Sequence, residues 1–218
     1  MLDYADENDL VEKNYARTFN LSDKILKEKE AKKRSHISFT TDEMKILWDN
    51  VDEFFYVDVI LIQCYSAWRP QELGLIELDR VDMEEWVFIG GMKTEAGINR
   101  LVPIHPKIRK LVQRKYNEAV ELGSKYLINC IDDQKTKNIK MTYDKYQYRF
   151  NKVRDILKLN SKHRAHDPRK QFITMAKDCN VDEYAIKYIA GHKINDITEK
   201  VYTDRTVQWL KKEIEKIK

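Results

Sequence analysis

The stretch AHDPRKQFITMAKDCNVDEYAIKYIAGHKINDITEKVYTDR, from Ala165 to Arg205, decides how this chain is read. His166 and Arg169 stand three residues apart, His192 follows a glycine, and Tyr202 comes ten residues later. Asp167-Pro168 has the chemistry of a helix start, where an acid suits the first turn and proline lacks only an N–H that would be unpaired anyway. Phe172, Ile173, Ala176 and Cys179 recur at helical spacing and predict a buried face. His166 and Arg169 therefore fall at a helix N-terminus, where free N–H groups and the dipole favour an anion. A second helix is expected from Asp182 to about Ala190, with Tyr184, Ile186 and Ile189 inward. Gly191 is placed to end it in a left-handed conformation, so that His192 leaves from a defined corner. Each residue alone has a plainer reading as a cap, a surface ion-pair former or part of the core. Together they outline a phosphate site.

Composition sets the limits. With 218 residues the chain holds one large domain, or one domain and an appendage. Its 40 Lys plus Arg against 36 Asp plus Glu leave a net charge of +4, which permits nucleic-acid binding without arguing for it. Four prolines and six glycines suit a helix-rich protein. No apolar run approaches the ~20 residues of a membrane span, and the N-terminus lacks signal-peptide character. Cys64, Cys130 and Cys179 are an odd, scattered set that fits free thiols in a reducing cytoplasm. No metal-ligand spacing or phosphate-cradling glycine loop is present, so no cofactor is expected.

Taken in order, residues 1–13 read as helix and Asn14–Ser38 as a polar, basic linker densest at KEKEAKKRSH. Lys32, Lys33 and Arg34 make that linker a candidate strap along nucleic acid. A domain is expected to open at Phe39, with Thr40 or Thr41 capping a helix that carries Met44, Leu47, Trp48 and Val51. Phe54–Ala67 is apolar enough for a buried helix that Arg69-Pro70 terminates. An arginine at that junction is either a buried partner of Glu72 or Glu77, or a functional group. Trp86–Gly90, Met92–Thr94 and Arg100–Ile104 predict a small antiparallel sheet, with Lys93 at or beside a turn. Helices follow from Pro106 to about Leu122, facing inward with Ile108, Leu111, Val112, Tyr116 and Val120, and from Thr142 to Leu157. Lys135, Lys137, Lys162 and Arg164 lie in polar connections and are candidate phosphate contacts, with His163 beside the last two. Val207, Leu210, Ile214 and Ile217 form an apolar stripe on a terminal helix. The fold class expected is α+β, mainly α-helical.

Four motifs bring these parts together: YSAWRPQELGLIEL around Arg69, GGMKTEAG with Lys93, HDPRKQF with His166 and Arg169, and AGHKINDITEKVY with His192 and Tyr202. In this order they resemble the catalytic domain of a tyrosine recombinase of the phage and conjugative-transposon integrase type, from about Phe39 to Arg205. Two departures stand out: Lys170 replaces a second histidine that many members carry, and the His192–Tyr202 interval is one residue longer than the commonest one. The resemblance implies a catalytic domain at 39–205, with 1–38 as the tail of a core-binding domain plus linker. It also implies a terminal helix at 206–218 that packs on its own domain in cis or docks on a neighbour in trans, the trans form being expected in the DNA-bound assembly.

The resemblance further implies roles. A phenol with a pKa near 10 is a weak nucleophile. Tyr202 would therefore attack a DNA phosphodiester only if Arg69 and Arg169 clamp the phosphate oxygens. His166 would accept the tyrosine proton or hold its oxygen, His192 would donate to a non-bridging oxygen, and Lys93 would protonate the 5′-oxygen leaving group. The 3′-phosphotyrosyl bond conserves energy, so neither ATP nor metal is called for. The partners implied are duplex recombination sites, three further copies in a tetramer on DNA, and an accessory directionality factor, all in a bacterial cytoplasm. A type IB topoisomerase, with related chemistry on one duplex, is the alternative.

Overall fold

The Thr40 hydroxyl accepts the Glu43 N–H at 3.2 Å while the Glu43 carboxylate accepts the Thr40 N–H at 2.9 Å. This reciprocal box satisfies two orphan donors and starts α1 (Thr41–Asp49), which turns Met44 and Leu47 inward. The structure, a computed structural model, describes residues 10–11, 35–92, 97–132, 139–196, 198–199 and 205–218. Contacts group the chain into two compact units, Met1–Ser35 and His36–Lys218. The elements below belong to the second and are numbered among the described residues.

All eight residues of α2 (Val57–Cys64) are buried. The sequence predicts a helix over Phe54–Ala67; the observed one is shorter because Tyr56 (φ 71°) and Ala67 (φ 56°) take left-handed backbone, which a right-handed helix excludes. A single turn, α3 (Pro70–Leu73), follows, with Arg69 as its N-cap residue. The sheet is antiparallel in the order β1 (Val81–Asp82), β2 (Val87–Gly90), β3 (Arg100–Pro103). Phe88 pairs with both Val81 and Val102 in register, and all three side chains are buried. The first strand went unpredicted because two residues carry no periodicity. Met92 lies in no strand, and Lys93 and Thr94 fall outside the described residues.

A 3₁₀ turn at Pro106–Ile108 leads into α4 (Arg109–Glu121), which buries Leu111, Val112, Lys115 and Ala119. Val120, expected inward, is 56% exposed. Lys115 takes a place on that face because Asp58 (3.1 Å) and Glu118 (3.0 Å) neutralise its ammonium. Thr142 caps α5 (Tyr143–Ile156), whose buried members include Tyr146, Phe150 and Val153. The central helix α6 (Asp167–Asp178) packs on α2, and α7 (Glu183–Ala190) packs on α6 and β3. The terminal helix α8 (Val207–Ile214) lies on β3 and α7 of its own domain, burying Leu210, Ile214 and, just beyond it, Ile217. Two polar bonds fasten it: the Glu213 carboxylate accepts the Asp182 N–H at 2.8 Å, and the His105 Nε2–H donates to the Ile217 carbonyl at 3.0 Å.

Candidate active site

The site is built around one buried carboxylate. Glu72, on α3, accepts from Arg69 Nη1 (2.8 Å), the Arg69 N–H (3.2 Å), Arg100 Nη2 (2.8 Å) and the Met92 N–H (3.2 Å). Burial pushes its carboxyl up, but the hydrogen bond and charge of Arg100, with the charge of Arg69, outweigh burial and hold it below the ordinary carboxylate range. Arg100, the first residue of β3, is buried. It donates to the Ile189 carbonyl at 3.0 Å and covers the Trp68 ring at 4.0 Å. Arg69 keeps 26% of its side chain exposed. Both readings left open for it are thus partly realised, because it pairs with Glu72 and also lines a cleft.

Arg169 occupies the first turn of α6 and is 7% exposed. Its Nη1 donates to the Ala67 carbonyl at 2.5 Å, an oxygen that the left-handed Ala67 backbone turns toward it. Among the described residues it has no carboxylate partner. Burial, followed by the charges of Arg69 and Arg100, brings its guanidinium down to about 9, so it remains a cation at neutral pH. Three guanidiniums thus lie close together with one carboxylate, Glu72, that pairs with only two of them, and the cluster beside the cleft that Arg69 lines carries excess positive charge. A bound phosphate would remove the repulsion that depresses Arg169. The charge is held at a cost to the fold. Arg169→Met is therefore expected to raise the thermal midpoint while slowing DNA cleavage by ~100-fold or more, as for loss of a preorganised donor. A calorimetric scan alongside single-turnover cleavage checks both directions.

His166 is the N-cap residue of α6. Burial first, then the charges of His36, Arg169 and Arg69, keep its imidazole below the usual histidine value. His192 leaves α7 through Gly191, which has φ 66° and the left-handed geometry expected of it. A side chain there would also approach Arg100 Nη1 to 3.1 Å. Burial and the charges of Arg169, Arg69 and Arg100 depress the His192 imidazole in turn. Arg69, Gln71, Glu72, Met92, Tyr143 and His166 line a cleft of ≈ 280 Å³. The structure thus gathers Arg69, His166, Arg169 and His192 in one electrostatic neighbourhood.

Lys93 and Tyr202 lie outside the described residues, as do Lys32, Lys33, Arg34, Lys135 and Lys137. Lys162 and Arg164 are exposed on the loop before His166. His163, beside them in sequence, is buried instead, with Nδ1 3.1 Å from Asp167 and Nε2 3.2 Å from Glu43. Arg100, His36 and Tyr143 were not anticipated as parts of the site. Only Arg100 carried a signal, as a charge opening an otherwise apolar strand.

Arg69 and His166 line one cleft of a mainly helical domain, and the charges of Arg69 and Arg169 act on both His166 and His192, an arrangement suited to a phosphate ester. The phage integrase family model matches residues 38–208. The chain belongs to that family, the tyrosine recombinases, and is a site-specific recombinase. No curated protein sequence matches it. In fold it is similar to the Tn1549 transposon integrase in complex with a circular intermediate DNA, with a TM-score of 0.62 and 16% identity, covering 99% of this chain and 75% of that one. It is likewise similar to XerA recombinase, with a TM-score of 0.63, 17% identity and coverage of 83% and 64%. For the integrase from mycobacterium phage Brujita the TM-score is 0.63 at 14% identity, with coverage of 85% and 59%.

Proposed function

We propose that this recombinase integrates and excises a mobile element or prophage in a bacterial cytoplasm, through a 3′-phosphotyrosyl DNA intermediate formed by Tyr202. The observation that carries the reading is the cleft's surplus of guanidinium charge, with Arg169 left without a carboxylate partner among the described residues. The phage and transposon origins of its structural neighbours support the element class.

In the reaction, the Tyr202 oxygen attacks the scissile phosphorus as His166 takes the phenolic proton. Its depressed pKa keeps His166 neutral, and so able to accept, at physiological pH. Arg69 and Arg169 clamp the non-bridging oxygens, and His192 donates to one of them. The P–O5′ bond breaks, and the leaving oxygen takes a proton from Lys93. Attack by a 5′-hydroxyl from a second duplex reverses these steps and completes the exchange. Lys162 and Arg164 contact flanking phosphates.

The working form is a tetramer on its DNA sites, with an accessory factor setting direction. In that assembly α8 docks on a neighbour in place of its own domain.

A nicked suicide duplex tests the reading. A covalent adduct followed by strand exchange with a second duplex is the expected outcome, and a chain truncated after Arg205 should keep the adduct but lose the exchange. Absence of any adduct with the intact chain rejects the reading, while an adduct that only reseals its own duplex indicates topoisomerase-like chemistry.

A further inference from the structure

The His166 imidazole makes no hydrogen bond among the described residues, and two rings flank it instead. His36 stacks on it at 5.6 Å between centroids with 29° between planes, and Tyr143 lies at 6.0 Å and 51°. An imidazole turns freely about its outer torsion, which has broad minima, so packing alone must set its plane. His36 is itself fixed: its Nδ1–H donates to Asp167 Oδ1 at 3.0 Å. The Asp167 side chain is 2% exposed. Its other oxygen accepts His163 Nδ1–H at 3.1 Å and the Arg164 N–H at 3.0 Å. A rigid relay thus runs from buried His163 through Asp167 and His36 to the face of His166. The same segment is anchored two residues on, where the Ser38 and Thr174 hydroxyls meet at 2.7 Å.

We propose that His36 is a positioning residue for the recombination reaction: stacked on His166 and tethered to Asp167, it sets the plane in which that imidazole faces the scissile phosphate. The proposal rests on the phosphotyrosyl reading above. Its physical basis is that a general base works only within hydrogen-bond reach of the proton it takes. A ring free to rotate would spend much of its time with neither nitrogen aimed at the nucleophile. Because His36 lies at the start of the second unit, the residues that enter the domain also help to shape its active centre.

The charges acting on His166 are also accounted for. His36, Arg169 and Arg69 depress its pKa, and Asp167 raises it. Replacing His36 therefore affects both the geometry and the titration of His166.

The test compares the parent chain with His36→Ala and His36→Phe on a nicked suicide duplex at saturating DNA. Single-turnover adduct formation, the DNA dissociation constant, the thermal midpoint and the pH–rate profile are measured for each. His36→Ala should slow adduct formation roughly tenfold, the scale of a small misplacement of a reacting group, with DNA affinity unchanged. His36→Phe, which restores a stacking ring without the ring nitrogens, should recover most of that loss. In both variants the acidic limb of the profile should move to higher pH, since a neighbour that lowers the His166 pKa is gone. Parental rate and profile in both variants would overturn the proposal. So would a defect confined to DNA affinity, or equal slowing in the two variants. Should His36→Ala fail to fold, His36→Leu, which fills the space without a planar ring, takes its place and should show the same slowing. If the parent itself forms no adduct, the phosphotyrosyl reading fails first, and this is told apart by the parent lane alone.

Discussion

Tyr202→Phe is expected to bind duplex DNA as tightly as the parent chain and to form no covalent adduct. The change deletes one oxygen and no charge, so the electrostatic contacts that dominate affinity are untouched. A phenyl ring has no lone pair to offer phosphorus, however well Arg69 and Arg169 hold the ester. The loss should therefore be complete, set against the ~100-fold cost of losing one donor among several. Filter binding and a denaturing gel on the same sample give both numbers. A persistent adduct in this variant would move the nucleophile to another residue.

The largest effect on stability is expected at Glu72. Its carboxylate takes four hydrogen bonds and, among the described residues, holds the only negative charge paired with Arg69 and Arg100. Glu72→Ala leaves the Arg100 guanidinium, 4% exposed in the parent, without its counter-ion and beside two other cations. Breaking a buried pair from one side costs about 3–5 kcal/mol, which is a large part of a domain's total stability. Denaturant unfolding monitored by tryptophan fluorescence measures the loss. Glu77→Ala, which removes the exposed pair with Lys125, serves as the control and should change nothing measurable. Glu72 also shapes the acid limb. Its folded-state pKa lies below the unfolded one, so its contribution is full above the ordinary carboxylate range and is lost as pH falls through the depressed value. The variant should accordingly lose less stability than the parent over that window. An undiminished unfolding free energy for Glu72→Ala would mean that Arg100 finds another partner.

What the sequence made legible follows from how its signals work. The helix at His166 and the corner at Gly191 were readable because proline, glycine and 3.6-residue periodicity act locally. The gathering of Arg69, Arg169, His166 and His192 was readable through the order of the motifs. The role of Arg100 was not, because its meaning depends on a carboxylate 28 residues away and a carbonyl 89 residues away. Tyr56 delays the start of α2 and Ala67 bars its extension through left-handed backbone, which no side-chain pattern announces in a tyrosine or an alanine. Val120 looked apolar and inward, yet a neutralised Lys115 took a buried place on that helix. His163 looked like one more basic loop residue and is a buried link between two acids.

The wide spacing of the Arg100 contacts bears on how the molecule comes into being. Arg69 reaches the Gly191 carbonyl across 122 residues, and Arg169 reaches the Ala67 carbonyl across 102. Contacts of such separation form late, because the entropy of closing long loops has to be met before they contribute. Helices α2 and α6 can form while the chain is still emerging, but the seat for a phosphate cannot exist until β3 has closed against α7. A nascent or partly unfolded chain thus holds its cations scattered, and the power to break a DNA strand waits on contacts between distant parts of the chain.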